Sequence, residues 1–444
     1  MFDPGHLYNT EKKAVKIFES LEAAILRGEL NSGDKLPAVR EVAQRWGVNK
    51  NTVAAAYRML QDGGLIVAAG RNGSLVASRT SLEPVGNRET PSPAANAIAL
   101  HDGNPARLLL PSEDIFRAHL SRIDLAELRY SERRNYEPLL EQMGETFKQD
   151  GIPFDKAFVS AGALDAISWA LRNNLKVGDK VGVEDPGYAT IVALVRSLGM
   201  RLVGIPIDRF GLLPEGLSAA YKRGVKAVVL SSRAQNPTGA CTSEERAQIL
   251  NAIIENGPDV LYIDDDHSSL LKLSPYRLFV PQAGKRWMVV RSLSKFLGPD
   301  LRISVCAGDD ATLGRLEIAQ ALSMGWVSRL LQRLASALLD DPLVRQGIEH
   351  AGEVYKSRYA ELSKALLANG FDVAGHTGLN LWVPLDEEVA VVAEMARKGW
   401  LLRSGSDFVL QSRPGIRVTS AGLPEDQVTS LVTDLVAARD SVRG

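Results

Sequence analysis

Apolar residues recur at helical spacing three times within the first 62 positions. Val15, Phe18, Leu21 and Ile25 fall at steps of three and four over residues 11–28, one apolar face that ends at Gly28. Pro37 suits the first turn of a second helix, which turns Val39, Val42, Ala43 and Trp46 inward and stops at Gly47. Asn49 is a favoured N-cap for a third helix to about Asp62, with Val53, Ala56, Tyr57 and Leu60 on its buried side. Two short strands, 65–68 and 74–77, follow. Gly70, Arg71, Asn72 and Gly73 join them and tolerate positive φ in a tight hairpin.

The pattern lapses over residues 78–97, SRTSLEPVGNRETPSPAANA, which read as a flexible connector reaching roughly several tens of ångströms when extended. Beyond it the period changes. Apolar, β-branched runs at 157–160, 180–183, 227–230, 260–263, 287–290 and 303–307 each end in a polar cluster, with helical stretches between them. Buried strands alternating with helices predict an α/β domain with a mainly parallel sheet, whose ligands sit at the carboxyl ends of the strands. A smaller α+β subdomain is expected from about residue 340.

Composition narrows the picture. A chain of 444 residues exceeds one hydrophobic core, so two or three domains are expected. No apolar run reaches the roughly 18 residues that cross a bilayer. The opening residues lack a basic start and an apolar stretch, so a cytoplasmic protein is expected. Cys241 and Cys306 fit no metal-ligand spacing and read as core thiols. The net charge of −1 divides unevenly: residues 1–80 hold 11 Lys and Arg against 8 Asp and Glu, and the remainder 41 against 45. A mildly basic head on a mildly acidic body fits a nucleic-acid partner for the head.

The head has the layout of a helix-turn-helix followed by a wing. The third helix offers Lys50, Asn51 and Thr52 at its N-terminal turn, where a recognition helix meets the major groove. Lys reads guanine or phosphate, Asn pairs with adenine, and Thr touches phosphate or a thymine methyl. Arg40 is placed for a phosphate or base contact. The stretch LPAVREVAQRWGVNKNTVAAAYRMLQDGGLIVAAGRNGSLVA, residues 36–77, resembles the GntR family of bacterial regulators, whose fold is an α+β winged helix-turn-helix. The resemblance implies DNA contacts at Arg40, Lys50, Asn51, Thr52 and, in the wing, Gly70, Arg71 and Gly73.

The polar clusters of the body form a set. Gly162, Ala163 and Leu164 open a helix after a strand, an anion cradle of backbone N–H groups. Then come Tyr188 in Glu184-Asp185-Pro186-Gly187-Tyr188, Asn236 in Asn236-Pro237-Thr238-Gly239, and Asp264-Asp265-Asp266-His267. Ser292-Leu293-Ser294-Lys295 follows, with Arg302 seven residues on. A pyridoxal cofactor needs a lysine for a Schiff base and a carboxylate to keep its ring nitrogen protonated. It also needs hydroxyls, amides and an arginine for its phosphate, a donor for the ring oxygen and a flat side chain against the ring. Each stands here in order.

The motifs NPTG (236–239) and SLSK with its later arginine (292–302) make residues 98–444 resemble the fold-type I aminotransferases. The resemblance implies pyridoxal 5'-phosphate on Lys295, Asp265 at the pyridine nitrogen, Asn236 at the ring oxygen and Tyr188 stacked on the ring. Gly162, Ala163, Leu164, Ser292, Ser294 and Arg302 form the phosphate cup. It makes Arg417 the grip on a substrate α-carboxylate, a task suited to its guanidinium fork. Tyr130 stands where a tyrosine of the family's dimers reaches the partner subunit's phosphate. Two features depart from the family, one at His267 and one at Ala163 and Leu164. His267 replaces a tyrosine that bonds the ring oxygen, and its ordinary pKa of about 6.5 implies an added pH dependence. Asp264 is the alternative to Asp265 at the ring nitrogen. Ala163 and Leu164 replace polar side chains of the cup, leaving backbone N–H groups and weaker cofactor retention.

Head and body together resemble the MocR subfamily of regulators. Its vitamin B6-linked members share Asp-Asp-His at 265–267 and the residues around Ser294, Lys295 and Arg302. The resemblance implies a regulator that senses pyridoxal phosphate or an amine, as a head-to-tail, domain-swapped homodimer on double-stranded operator DNA. Two alternatives stay open: a working aminotransferase with an attached DNA-binding domain, and a body that serves only to dimerise. A likeness of fold does not by itself decide among them.

Overall fold

A computed structural model describes residues 10–26, 29–31, 33–62, 65–68, 73–76, 97–124, 134–277 and 285–443. The chain forms two compact units, one centred on the first 88 residues and one on most of 89–444. The connector expected at 78–97 lies almost wholly outside the described residues.

In the first unit, helices Thr10–Leu26, Val39–Arg45 and Lys50–Asp62 precede an antiparallel pair, Ile66–Ala68 and Ser74–Val76, with Ile66 opposite Val76. Ile17, Phe18, Leu36, Val42, Val53, Ala56, Leu60 and Ile66 share its core. The face expected of the first helix is corrected: Val15 is 40% exposed, whereas Ala14, Ile17 and Phe18 are buried. Ala14, Ile17, Phe18, Leu21 and Ile25 follow the 3.6-residue period, and small Ala14 suits the side that meets helix Lys50–Asp62. The second helix opens at Val39 rather than Pro37. Ala38 is extended, its N–H donating to Glu41 Oε2 at 3.2 Å, and the Pro37 carbonyl accepts from the Tyr57 hydroxyl at 2.7 Å. Asn49 caps the third helix as expected, its side chain accepting from the Asn51 N–H at 2.9 Å.

The second unit is built on an eight-stranded sheet. Across it run Ala157–Ser160, Ser304–Gly308, Arg286–Ser292, Leu261–Asp265, Val225–Leu230, Lys180–Asp185, Arg201–Asp208 and Gly211–Leu212. The four from Arg286–Ser292 to Lys180–Asp185 are parallel, and Ser304–Gly308 runs against both its neighbours. Leu261–Asp265 is buried at every position and Val225–Leu230 at all but one, which explains their unbroken apolar runs. Helices Ala163–Asn174 and Asp310–Ala321 pack together beside the sheet.

A second core lies around the three-stranded sheet Leu381–Pro384, Gly415–Val418 and Arg403–Ser404. Helices Pro342–Ala368, Glu388–Arg397 and Val428–Arg443 cover it. The segment that begins the body joins this core as well: Ile98–Ala99 pairs with Trp400–Leu401, and Thr419 donates its N–H to the Leu100 carbonyl at 2.8 Å.

Candidate functional site

Strand register gathers the polar ends. Asp264 lies level with Leu230 and Val289, and Asp265 with Val290. Across the antiparallel strand, Ser304 stands opposite both Ser292 and Ser160, and the Ser160 and Ser304 hydroxyls meet at 2.6 Å.

The three consecutive aspartates have three different surroundings. Asp264 accepts from the Ser232 N–H (3.1 Å) and hydroxyl (2.6 Å) and from the Tyr276 hydroxyl (2.8 Å). Asp266 is held by two buried arginines, with Arg233 at 2.6 and 2.7 Å and Arg291 at 2.8 Å. Burial would raise its pKa, but these two guanidinium groups hold it down at about 2. Asp265 is buried with no partner on Oδ1. Burial, then Asp264 and Asp266, push it up to about 7, against the pull of Lys295. An orphaned buried carboxylate oxygen costs free energy until a donor reaches it. A protonated ring nitrogen is such a donor.

Lys295 follows the strand Arg286–Ser292 and is half-buried. Its Nζ donates to the Gly103 carbonyl at 2.7 Å. Burial and then Arg417 lower its pKa to about 8, so a substantial neutral fraction exists near physiological pH. His267 corrects its expectation: burial and the nearby Lys295 charge depress it to about 4. It is therefore neutral at physiological pH and does not titrate there.

Arg417, on the strand Gly415–Val418, is 5% exposed. It donates to Asn236 Oδ1 at 3.3 Å and to the His101 carbonyl, and lies 5.0 Å above the Phe408 ring. Its Nε has no acceptor, and burial lowers its pKa to about 10. The buried, unpaired Nε fits an incoming carboxylate. Tyr188 is half-buried beside Arg417. Its loop is anchored by Asp185, which accepts from the N–H groups of Leu410, Gln411 and Ser412 and from the Ser412 hydroxyl.

Of the residues expected at the phosphate, Gly162 lies beside Arg302, and Ser292 beside Ser294. Gly162, at φ +98°, precedes helix Ala163–Asn174, so Ala163 and Leu164 present first-turn N–H groups that no helix satisfies internally. Arg302 donates to the Ala161 carbonyl at 3.3 Å, and a Cβ on Gly162 would lie 2.5 Å from its guanidinium. The Ser292 hydroxyl accepts from the Ser294 N–H at 3.3 Å, and the Ser294 hydroxyl is buried without a partner. Tyr130 lies outside the described residues. Sequence reasoning missed Gly103. Its φ of +71° and the 3.2 Å between a built Cβ and Arg417 demand glycine. The turn-like Asp102-Gly103-Asn104-Pro105 was a signal for a bend, but nothing in it points to Lys295, 192 positions on.

In the head, Arg40, Lys50 and Asn51 are exposed, and Gly73 is exposed at φ +83°. Thr52 is corrected: it is 2% exposed and belongs to the interior beneath the third helix. One residue beyond Asn51 on a 3.6-residue helix turns about 100° toward the core. Gly70 and Arg71 lie outside the described residues.

Comparison with known proteins agrees with both halves. Residues 100–435 match the family aminotransferase class I and II, and residues 13–76 match bacterial regulatory proteins of the gntR family. The chain is 36% identical over 434 residues to the vitamin B6 salvage pathway transcriptional repressor PtsJ of Salmonella typhimurium, covering 96% of this chain and 98% of that one. It is 24% identical over 358 residues to the pyridoxine biosynthesis transcriptional regulator PdxR of Corynebacterium glutamicum, covering 77% and 76%. Kynurenine aminotransferase of Pyrococcus horikoshii shares the body's fold, with a TM-score of 0.72 at 23% identity over 79% of this chain and 92% of that one. The chain belongs to the aminotransferase class I and II family through its body and to the gntR family through its head, the architecture of the MocR-type transcription regulators.

Proposed function

We propose that this regulator holds pyridoxal phosphate at the strand ends of its body and changes its grip on operator DNA when the cofactor, or an amine that reacts with it, is bound. Lys295 is the attachment point, Asp265 faces the ring nitrogen, and Asn236 and neutral His267 face the ring oxygen. Tyr188 lies on the ring. Gly162, Ala163, Leu164, Ser292, Ser294 and Arg302 take the phosphate, and Arg417 takes an effector carboxylate. When bound, pyridoxal phosphate supplies an aldehyde that condenses with primary amines and a ring that draws electron density.

The observation that carries this reading is Asp265, a buried carboxylate with an unpartnered oxygen beside a lysine of lowered pKa. The chemistry of the donor set fits the group. The repressor of vitamin B6 salvage, similar along nearly its whole length, supports vitamin B6 as the effector and repression as the direction of control. In the head, Arg40, Lys50, Asn51 and the wing at Gly70, Arg71 and Gly73 contact the DNA. Residues 1–77 act as reader, 78–97 as connector and 98–444 as sensor and dimeriser, in a head-to-tail, domain-swapped homodimer in which Tyr130 reaches the partner's phosphate. A cytoplasmic location follows from the DNA partner, and among the described residues no helix is long and apolar enough to cross a membrane.

Borohydride reduction of the loaded protein followed by peptide mapping tests the assignment. The cofactor is expected on the peptide that contains Lys295. Cofactor on another lysine, or none retained, contradicts it.

A further inference from the structure

Two buried polar residues next to the pocket have no part in the roles above. Glu184 is the last residue but one of the strand Lys180–Asp185, four residues before Tyr188, and Gln235 immediately precedes Asn236. Both side chains are buried, Gln235 to 1% exposure. A buried carboxamide has two N–H donors and an oxygen with two lone pairs, and each unmet bond is costly. Gln235 meets all four. Its Nε2 donates to Glu184 Oε2 at 3.1 Å and to the Pro186 carbonyl at 3.0 Å. Its Oε1 accepts from the Thr238 N–H at 3.0 Å and the Thr238 hydroxyl at 2.6 Å. Its own N–H donates to the Ala240 carbonyl at 3.0 Å. One amide therefore ties the turn that carries Tyr188 to the turn that carries Asn236.

We propose that Gln235 and Glu184 are positioning residues of the cofactor pocket: Gln235 clamps the Asn236 turn to the Tyr188 turn, and Glu184 holds the clamping amide by accepting one of its N–H groups. The orientation of the amide is set by the Pro186 carbonyl, which can only accept, and the Thr238 N–H, which can only donate, and Glu184 adds an acceptor on the Pro186 side. A flipped amide would bring its oxygen against the Pro186 carbonyl and its NH₂ against the Thr238 N–H, losing both of those bonds. Burial, acting first, lifts the Glu184 carboxyl to about 8, and Asp264 and Asp265 push in the same direction. An uncharged Glu184 at neutral pH keeps a further negative charge away from Asp265, so a neutral amide at position 184 would serve equally well.

The inference rests on the reading of Asn236 and Tyr188 as ring contacts, and its test separates the two. Full-length protein, freed of cofactor, is titrated with pyridoxal phosphate, reading both the Kd and the absorption maximum of the bound cofactor, which responds to hydrogen bonds at the ring oxygen. Gln235→Leu and Glu184→Leu are expected to raise Kd about tenfold and to shift the maximum, each stranding buried groups. Glu184→Gln restores both to near the unmodified values. A purely structural role would lower the melting temperature and leave the bound spectrum unmoved. If Gln235→Leu binds with unchanged Kd and spectrum while Asn236→Ala weakens binding, the clamp is overturned and the ring contacts stand. If Asn236→Ala and Tyr188→Ala also change nothing, the ring-contact reading falls and takes the clamp with it. Should Gln235→Leu not fold, Thr238→Val removes the 2.6 Å bond to the same amide, and an unchanged Kd and spectrum there overturns the clamp equally.

Discussion

Arg233 grips Asp266 through two parallel bonds, Nε to Oδ1 at 2.6 Å and a terminal nitrogen to Oδ2 at 2.7 Å, with both side chains buried. Arg291 reaches the same carboxylate, and Asp150 pairs with both arginines. The network fixes the backbone between Asp265 and His267. Removing one partner strands a buried charge, so Arg233→Ala should cost the body about 3–5 kcal/mol of stability. Denaturant unfolding followed by tryptophan fluorescence measures it, and a loss below about 1 kcal/mol would show the pair to be dispensable.

Gly162 and Arg302 make the phosphate site sensitive to one methyl group. A Cβ at 162 would lie 2.5 Å from the Arg302 guanidinium, on a backbone of φ +98° that side chains resist. Gly162→Ala is expected to weaken pyridoxal phosphate about tenfold and to leave pyridoxal, which lacks the phosphate, nearly unchanged. Equal losses for both ligands would place the phosphate elsewhere.

In the head, exposed and buried positions should separate cleanly. Arg40→Ala and Lys50→Ala should weaken operator binding, each lowering the salt slope by about one if it meets a phosphate. Thr52→Ala should lower the melting temperature of the head and leave the salt slope as it was, because Thr52 is interior. Binding measured across a salt series decides it, and a reduced slope for Thr52→Ala would return that residue to the DNA face.

Buried carboxyls give cofactor-free protein an unusual pH profile. Glu184, Asp265 and Asp264 are raised to about 8, 7 and 6. They bind protons in the folded state that the unfolded chain releases near pH 4, so their contribution is full below that pH and is lost as pH rises through the folded values. His267, depressed to about 4, and His376, also lowered by burial, oppose this up to their ordinary value of about 6.5, but they are two groups against three. The melting temperature should therefore fall between about pH 5.5 and 8. A rise over that window would mean these carboxyls are ionised in the folded protein.

The fold was readable where local pattern and burial coincide. The unbroken apolar runs at 227–230 and 260–263 became central parallel strands because both of their faces are covered. Arg201–Asp208, with mixed exposure and Gly204 and Pro206 inside it, carried no comparable signal. Residue types drew attention to Asp264-Asp265-Asp266, but only the partners distinguish them, and Ser232, Tyr276, Arg233 and Arg291 come from other parts of the chain. Thr52 looked like its exposed neighbours because one residue of helix rotation decides burial. Gly103 was hidden for a different reason: its contribution is a backbone carbonyl, which no side-chain motif encodes.

The central claim is that the body's cofactor state governs the head. The most direct measurement is DNA affinity for the upstream region of the gene, at one fixed salt concentration, with cofactor-free and pyridoxal phosphate-loaded full-length protein. The account predicts sequence-specific binding whose Kd changes on loading, with the change abolished in Lys295→Ala. Specific binding with the same Kd in both states would contradict it.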